Sequence, residues 1–561
     1  MTKKLLAGNK YFLYITAFFS GMSIMAIELG ASRLLAPYFS SSQIVWTVII
    51  GTIMIALALG HVIGGRAVDK NPDPARLYSR LLIAALWTAA IPFAGKYVIA
   101  GVSLLLAMLV TGNFLVWASL VSCFLIFVFP LLLLGTVSPA LIKFSVDNLE
   151  ENGKIVGQLE AVNTVGSIIG TFLPTFVTIP AVGTAATFLI FAAILAAISG
   201  AYFFSAHRHK ARGAVSLALI LGLLFLPVEN SFAFWESDLL YEGESIYNYL
   251  QVKETERSVI FSTNVLEGVQ SILMKDGTLT GLYYEYALAG PLITGVPAVS
   301  AAGARPNGGE TAAPAGGPGQ NSGETPAQNL LILGLGTGTY AALCQKYFPS
   351  LSVEGVEIDA KIVALAEEYF QLPENVAVSV YDGRAYLQNS GLYDLILVDA
   401  YQDITIPFQM SSLEFFTAVK AHLREGGVLM VNMNMRSGKE GAINDYLQDT
   451  IRSVFDHVYT MVLPNITNTI LFAAEGPGLR ESLAEGLSLL PDGEPLKDLL
   501  INLRDGLREA TPGPLILTDD KAPVELLGIR VIDELIANNL QYYQGILKRD
   551  GIDGLLRGMG L

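Results

Sequence analysis

Seven apolar runs fill the first part of the chain, at 11–30, 44–65, 80–110, 115–134, 160–180, 184–204 and 213–229. Most approach or exceed the ~20 residues that an α-helix needs to cross a bilayer. In hydrocarbon every backbone N–H and C=O must find its partner within the protein, so such runs are confined to helices. They predict a multi-pass α-helical membrane domain over residues 1–232 with about seven helices; buried helices of a soluble bundle are the alternative. The first run is too long, and followed by too many others, to be read as a removed leader. The third, interrupted near Pro92, Gly95 and Lys96, is either one kinked helix or a helix with a re-entrant piece.

Charge divides the chain at the same place. Residues 1–232 carry 14 Lys+Arg against 8 Asp+Glu, and the remainder carries 21 against 42. The basic residues of the front part cluster in alternate connections: Lys3, Lys4 and Lys10, then Arg66, Lys70, Arg76 and Arg80, then Lys143 and Lys154, then Arg208, Lys210 and Arg212. The positive-inside rule puts these in the cytoplasm. Seven crossings would then leave the acidic part outside, whereas an eighth near 97–112 would return it inside, so a cell-membrane location is expected with sidedness open. Glu28, Arg33, His61 and Glu160 fall in or beside the spans, where charge is costly. Glu28 and Arg33 are read at a helix end, paired with each other or with headgroups; a polar cavity for a cation is the alternative. Gly166-Ser-Ile-Ile-Gly170 is a small-xxx-small pattern of the kind that packs helix on helix.

An acidic soluble part disfavours nucleic acid and favours cationic small molecules. Cys123 and Cys344, the two cysteines, allow neither a disulfide framework nor a CxxC site, and five histidines form no metal-binding cluster, so no metal is expected. Residues 233–294 contain short Tyr- and Val-rich runs with Asp276-Gly277 as a hairpin signal, which predicts a small antiparallel β-sheet. Residues 295–328 are rich in Gly, Ala and Pro and predict a flexible insertion. From 329 to 545 strands and helices alternate: strands at 330–334, 352–357, 377–381, 393–399 and 427–433, helices at 338–348, 360–370 and 411–424. This is the pattern of a parallel sheet covered on both faces, an α/β Rossmann-like domain.

Its first unit holds the densest information. The run Leu330–Leu333 leads into Gly334-Leu335-Gly336-Thr337-Gly338, a helix follows, and a second strand ends on Glu357. Glycines there let the backbone turn tightly and approach a nucleotide, and an acid some 20 residues on accepts from ribose hydroxyls. Ligands of open parallel sheets sit beyond the carboxyl ends of the strands. Three such ends finish in carboxylates: Glu357 suits the ribose, Asp382-Gly383 the adenine amine, and Asp399 the reacting centre. Each acid could instead cap the next helix.

With these residues in place, the chain resembles the polyamine aminopropyltransferase family, which includes spermidine synthase, in a membrane-fused form. Glu244-Ser245-Ile246-Tyr247-Asn248 resembles the family's E-S-x-Y-Q opening. Gly334–Thr339 resembles its glycine loop, Val356-Glu357-Ile358-Asp359 its ribose motif, and Asp382-Gly383 its adenine motif. Tyr393–Asp403 resembles the strand whose last Asp is the catalytic base, with Pro407 closing the loop, and Thr518–Glu525 resembles a late motif of the fused members. The resemblance implies aminopropyl transfer from decarboxylated S-adenosylmethionine to an amine such as putrescine, giving spermidine and methylthioadenosine. Asp399 would be the base, with Asp403 and Tyr284 or Tyr401 positioning the amine. Gly334, Gly336, Thr337, Gly338, Glu357, Asp382, Gly383 and Asn248 would hold the donor. Implied partners are a polyamine and the lipid bilayer, no nucleic acid and no metal, with a homodimer among the states it admits.

Several positions depart from the family. Thr337 replaces the loop Asp, Asn248 replaces the opening Gln, Tyr283-Tyr284-Glu285-Tyr286 lacks the His of the Tyr-His-Glu motif, and the second loop Asp is displaced by one to Asp403. The nucleoside half of the site is therefore the better matched. Two other readings stay open. One is a methyltransferase using S-adenosylmethionine itself; the other is a polyamine transporter or sensor whose soluble half binds ligand.

Overall fold

The computed structural model describes residues 9–40, 42–110, 112–146, 152–206, 210–224, 231–236, 238–265, 269–299, 328–401, 406–464, 466–538, 546 and 549. Two compact units divide the chain, residues 1–237 with 536–561, and residues 238–535.

The first unit is helical: α1 (Lys10–Phe39), α2 (Gln43–Lys70), α3 (Pro74–Leu109), α4 (Phe114–Gly135), α5 (Val137–Ser145), α6 (Asn152–Leu173), α7 (Ile179–Ser205) and α8 (Lys210–Leu224). Asn9, Ser42 and Asp73 cap the first three, each side chain accepting from a backbone N–H of the first turn. Such caps satisfy donors that a helix start leaves orphaned. Among the described residues five stretches are long and apolar enough to cross a membrane: Lys10–Phe39, Gln43–Lys70, Pro74–Ala107, Phe114–Ser145 and Asn152–Ser205. The third apolar run is one continuous helix with Pro92 inside it. Glu28 and Arg33, read at a helix end, lie within α1 instead, which continues to Phe39.

The 54-residue stretch Asn152–Ser205 would be about 81 Å long if straight, against ~30 Å of hydrocarbon. It reverses instead. A π turn at Pro174–Thr178 and Gly183, with φ +82° and ψ 169°, separate two legs. α6 runs alongside α1 in the same direction, with Gly166 against Phe18 and Gly170 against Met22. Phe188 of α7 meets Gly30, while Tyr202 stacks on Tyr78 of α3, so α7 returns.

Glycine makes the α1–α6 approach close. A Cβ on Gly166 would lie 2.0 Å from the Phe18 carbonyl oxygen, and one on Gly170 2.1 Å from that of Met22. Gly60 and Gly64 of α2 meet Gly135 and Thr136 in the same way. After α8, residues 231–236 fold back onto the bundle. Lys96 donates to the Ser231 carbonyl at 3.0 Å and Tyr38 donates to that of Phe232 at 2.8 Å.

The second unit begins with β1 (Leu239–Glu244), β2 (Tyr249–Glu254), β3 (Ser258–Ser262) and β4 (Val269–Met274), an antiparallel sheet in sequential order. Asp276-Gly277 forms a turn, with Asp276 accepting from Thr278, but no strand follows it and no hairpin results. The chain enters α9 (Tyr283–Tyr286) and α10 (Ala289–Ile293) instead. Tyr284 and Leu292 bury in the core of the larger sheet, and this apolar demand overrides the local turn signal.

The larger sheet comprises β5 (Asn329–Leu333), β6 (Ser352–Glu357), β7 (Ala377–Val380), β8 (Tyr393–Val398), β9 (Leu423–Met433), β10 (His457–Val462), β11 (Thr469–Ala474) and β12 (Arg508–Glu509). Among the described residues its order is β12-β10-β11-β9-β8-β5-β6-β7. Strands β5 to β9 are parallel, and β11 returns antiparallel to β9. Helices α11 (Thr339–Tyr347), α12 (Ala360–Tyr369), α13 (Gly383–Leu387), α14 (Leu413–Ala421), α15 (Ile443–Arg452), α16 (Leu479–Ser488) and α17 (Pro495–Gly506) accompany it. Leu330–Leu333 and Leu395–Val398 are buried on both faces, which explains their unbroken apolar sequence. The small sheet packs through Leu250, Val252 and Phe261 onto Ile362, Leu365 and Phe370 at α12.

Residues 300–327, the bulk of the 295–328 insertion, lie outside the described residues. Its two ends are clasped: the Gln328 amide donates to the Thr294 carbonyl at 2.7 Å and accepts from its hydroxyl at 2.8 Å.

Gly166→Leu should destabilise the helical unit by about 1–3 kcal/mol or more, because the new side chain meets backbone. Gly222→Ala, with nothing within 4 Å of its Cβ, should not destabilise it and should add up to about 1 kcal/mol of helix preference. Thermal unfolding of the detergent-extracted protein checks both.

Candidate active site

Strand order reverses between β5 and β8: the chain moves from β5 to β6 and β7 on one side, then to β8 and β9 on the other. A crevice opens at such a switch point beyond the carboxyl ends. Along that edge the expected groups follow in spatial order: Asp382 after β7, Glu357 ending β6, the glycine turn after β5, and Asp399 after β8.

The glycine turn is held from both sides. Gly334 and Leu335 donate to the Val356 carbonyl at 2.9 and 3.0 Å. Gly334 has φ +91°, and a Cβ there would come within 2.6 Å of the Asp399 carbonyl oxygen. Gly336, with φ +55°, has nothing within 4 Å of where a Cβ would be, so this backbone faces open space. Thr337 is fully buried and pairs with the Thr339 hydroxyl at 3.0 Å. It therefore packs under the turn.

Glu357 is 7% exposed and accepts from the Gly336 N–H at 2.9 Å and the Asp359 N–H at 3.1 Å. Burial raises its pKa, and those two N–H groups oppose the rise. Asp359 caps α12 through Lys361 N–H and accepts from the Ser245 hydroxyl. Ser245 in turn holds Asn248 by accepting from its N–H at 2.9 Å, which fixes the β1–β2 connection beside the Glu357 strand end. Asp382 caps α13 with one oxygen, accepting from Ala385 N–H at 2.8 Å. Its neighbour Arg384 forms a two-pronged ion pair with Asp519 of the late Thr518–Glu525 motif, both contacts 2.7 Å.

Asp399 carries the strongest network. One carboxylate oxygen accepts from the Tyr283 hydroxyl at 2.6 Å, the other from the Asn432 amide at 2.9 Å. Asn432 is oriented by Asn468, which donates to its oxygen at 2.8 Å. Burial pushes the Asp399 pKa up to about 7; Tyr283 and Asn432 oppose this, and the Glu357 charge adds to it. Burial, then the Asp399 charge, hold the Tyr283 phenol well above its usual range, so it stays a donor.

Two expected contributors, Tyr284 and Tyr401, are placed elsewhere. Tyr284 is 2% exposed and its hydroxyl donates to the Ile272 carbonyl of β4, so it braces the small sheet and Tyr283 faces Asp399 instead. Tyr401 is equally buried and donates to the Met410 carbonyl at 2.9 Å, fastening the loop. Asp403 lies outside the described residues. Sequence reasoning passed over Tyr283 by one position and missed Asn432 and Asn468; an amide inside the apolar run Val428–Met433 was the available signal. Glu285, also missed, is buried and holds the turn before α9 by accepting from Thr280 and Gly281 N–H groups. Among the described residues, no three His, Cys, Asp or Glu side chains gather closely enough to hold a metal ion.

A Rossmann-like sheet with a glycine turn and a row of strand-end carboxylates is the architecture of a nucleoside-binding α/β domain. The spermine/spermidine synthase domain matches residues 321–476. A probable polyamine aminopropyl transferase of Bifidobacterium longum is 44% identical over 375 residues, 64% of this chain and 77% of that protein. A polyamine aminopropyltransferase of Vibrio vulnificus is 27% identical over 262 residues, 45% and 76% of the two chains. A probable spermidine synthase from Corynebacterium glutamicum superposes with a TM-score of 0.35 at 17% identity, over 50% of this chain and 98% of that one. The chain belongs to the polyamine aminopropyltransferase family and is an aminopropyltransferase.

The raised Asp399 pKa has a consequence for stability. Below its ordinary value of 3.8 the carboxyl is neutral folded or unfolded; above about 7 it is charged in both states and the fold bears the desolvation cost. Its contribution is therefore lost between those values as pH rises. Asp399→Asn should raise the melting temperature by several degrees at pH 8 and by little at pH 4.

Proposed function

We propose that the soluble unit transfers an aminopropyl group from decarboxylated S-adenosylmethionine to putrescine or a similar amine, in a protein held at the cell membrane by its helices. The observation that carries this reading is the Asp399 carboxylate at the switch point, with one hydrogen bond on each oxygen and a pKa near neutrality. An ammonium cannot attack carbon until its proton is removed, and a base works best when its pKa lies near the working pH.

In this reading the amine nitrogen, deprotonated by Asp399, forms a bond to the propyl carbon next to sulfur. The carbon–sulfur bond breaks, its electron pair stays on sulfur, and methylthioadenosine leaves as a neutral thioether. The amine proton remains on Asp399 and passes to solvent. Tyr283 and Asn432 aim the carboxylate, and their donors stabilise its charged form. Holding the two reactants in line supplies much of the acceleration.

Glu357 suits the ribose. A carboxylate offers about four acceptor positions, and its two backbone N–H bonds leave others for the ribose hydroxyls. Asp382 uses one oxygen as a cap and can take the adenine amine with the other. Gly336 leaves room for the nucleoside above the turn. Thr337, buried under that turn, has no carboxylate for the donor's aminopropyl nitrogen, so charge attraction there falls to Asp399 and its surroundings.

Mass spectrometry of products from each donor tests the reading: methylthioadenosine is expected, and S-adenosylhomocysteine would reject it in favour of methyl transfer. Asp399→Asn should lower kcat by about 10²–10⁴-fold, the range for loss of a general base, while nucleoside affinity holds; wild-type turnover would remove Asp399 from this role. Glu357→Ala should weaken donor binding, and an unchanged donor affinity would reject the ribose assignment. Tyr283→Phe removes a donor that stabilises the charged carboxylate. The acidic limb of the pH–rate profile, set near 7 in the wild type, should therefore move to higher pH.

A further inference from the structure

We propose that a groove on the helical unit binds one anionic glycerophospholipid, with its phosphate at Arg76 and Arg80 and an acyl chain between α3, α7 and α8. This rests on the reading that the helices cross a bilayer. A cavity of about 450 Å³ lies between those three helices, lined by Ser79, Ile83 and Leu86 of α3, Phe203 of α7, and Val215 and Ser216 of α8. Ile83 and Val215 are 47% and 66% exposed, so the groove opens on the outside of the bundle.

One end of this groove is basic. Tyr78 of α3 stacks on Tyr202 near the end of α7 with ring centroids 4.3 Å apart, and α8 starts five residues after α7 ends. The N-terminal ends of α3 and α8 thus share one face of the unit. Arg76 and Arg80 precede Ile83 at helical spacings of seven and three, which puts them on the same stripe of α3. Neither guanidinium is paired with a described residue.

Beyond the arginines the lining turns apolar for about 6 Å along α3, from Leu82 to Leu86, and continues on Phe203 and Val215. Ser79 and Ser216 place hydroxyls at the border between the two chemistries. A free phosphate would use only the basic end, and a neutral lipid only the apolar part. An anionic lipid uses both, and basic residues at a membrane surface favour such headgroups.

The full-length protein in nanodiscs, analysed by native mass spectrometry, tests this with phosphatidylglycerol against phosphatidylcholine of matched chains. The wild type should retain phosphatidylglycerol preferentially. Arg76→Gln and Arg80→Gln should each weaken that retention about fivefold and weaken that of phosphatidylcholine, whose phosphate is offset by its own choline cation, by less, whereas Val215→Trp, which fills the groove, should weaken both. Equal retention of the two lipids by the wild type, or a preference that survives both arginine substitutions, overturns the proposal. Extraction at alkaline pH separates the two levels of failure: a protein that leaves the membrane overturns the bilayer reading itself, whereas an integral protein without lipid preference overturns only the lipid site.

Discussion

Backbone contact between Gly334 and Asp399 sets the geometry of the candidate site. The Asp399 N–H donates to the Leu333 carbonyl at 2.9 Å, so β5 and β8 stay hydrogen-bonded to their last residues. Gly334 then turns away with a positive φ that few other residues adopt, in a space too narrow for a Cβ. Two consequences follow from that one contact. The glycine turn is aimed at the β6 end, where Glu357 receives the Gly336 N–H, and the Asp399 side chain stands at the mouth of the same crevice.

Carboxylates in and around this crevice are costly to bury and each is answered by donors. Glu357 takes two backbone N–H groups, Glu285 takes N–H groups and a hydroxyl of its turn, and Asp399 takes a phenol and an amide. The answers differ in kind. Backbone donors around Glu357 and Glu285 are fixed by the fold, whereas the donors on Asp399 are side chains that a neighbouring ligand can compete with. Desolvation wins over the hydrogen bonds at Asp399 and carries its pKa to about 7. A group that changes charge near neutral pH is thereby set at the switch point of the sheet.

How much of this could be read in the sequence depends on where each element's information lies. The strands β5 and β8 are unbroken apolar runs and declare themselves, as do Gly334 and Asp399 at their ends and Glu357 at the end of β6. Gly166 and Gly170 were legible for the same reason: small residues at a four-residue spacing have few uses besides close helix packing, and both press on α1. Tyr283 and Tyr284 are different, because adjacent tyrosines on one short helix are indistinguishable until burial decides which one faces inward. Asn468 reaches Asn432 across 36 residues, a pairing that only strand order creates. The Asp276-Gly277 turn was legible as a turn, but what came next was decided by distant apolar residues.

The clasp between Thr294 and Gln328 has a consequence for how this sequence can vary. Two hydrogen bonds between Thr294 and Gln328 hold the ends of the intervening segment together beside the sheet. Closing a loop costs entropy that grows only with the logarithm of its length, about 0.6 kcal/mol for each doubling. A change in the number of residues between Thr294 and Gln328 is therefore expected to transmit little penalty to β5. Evolution and protein engineers alike are thus offered a tolerant insertion point, one where an epitope or an extra module can be spliced without retuning the chemistry next door.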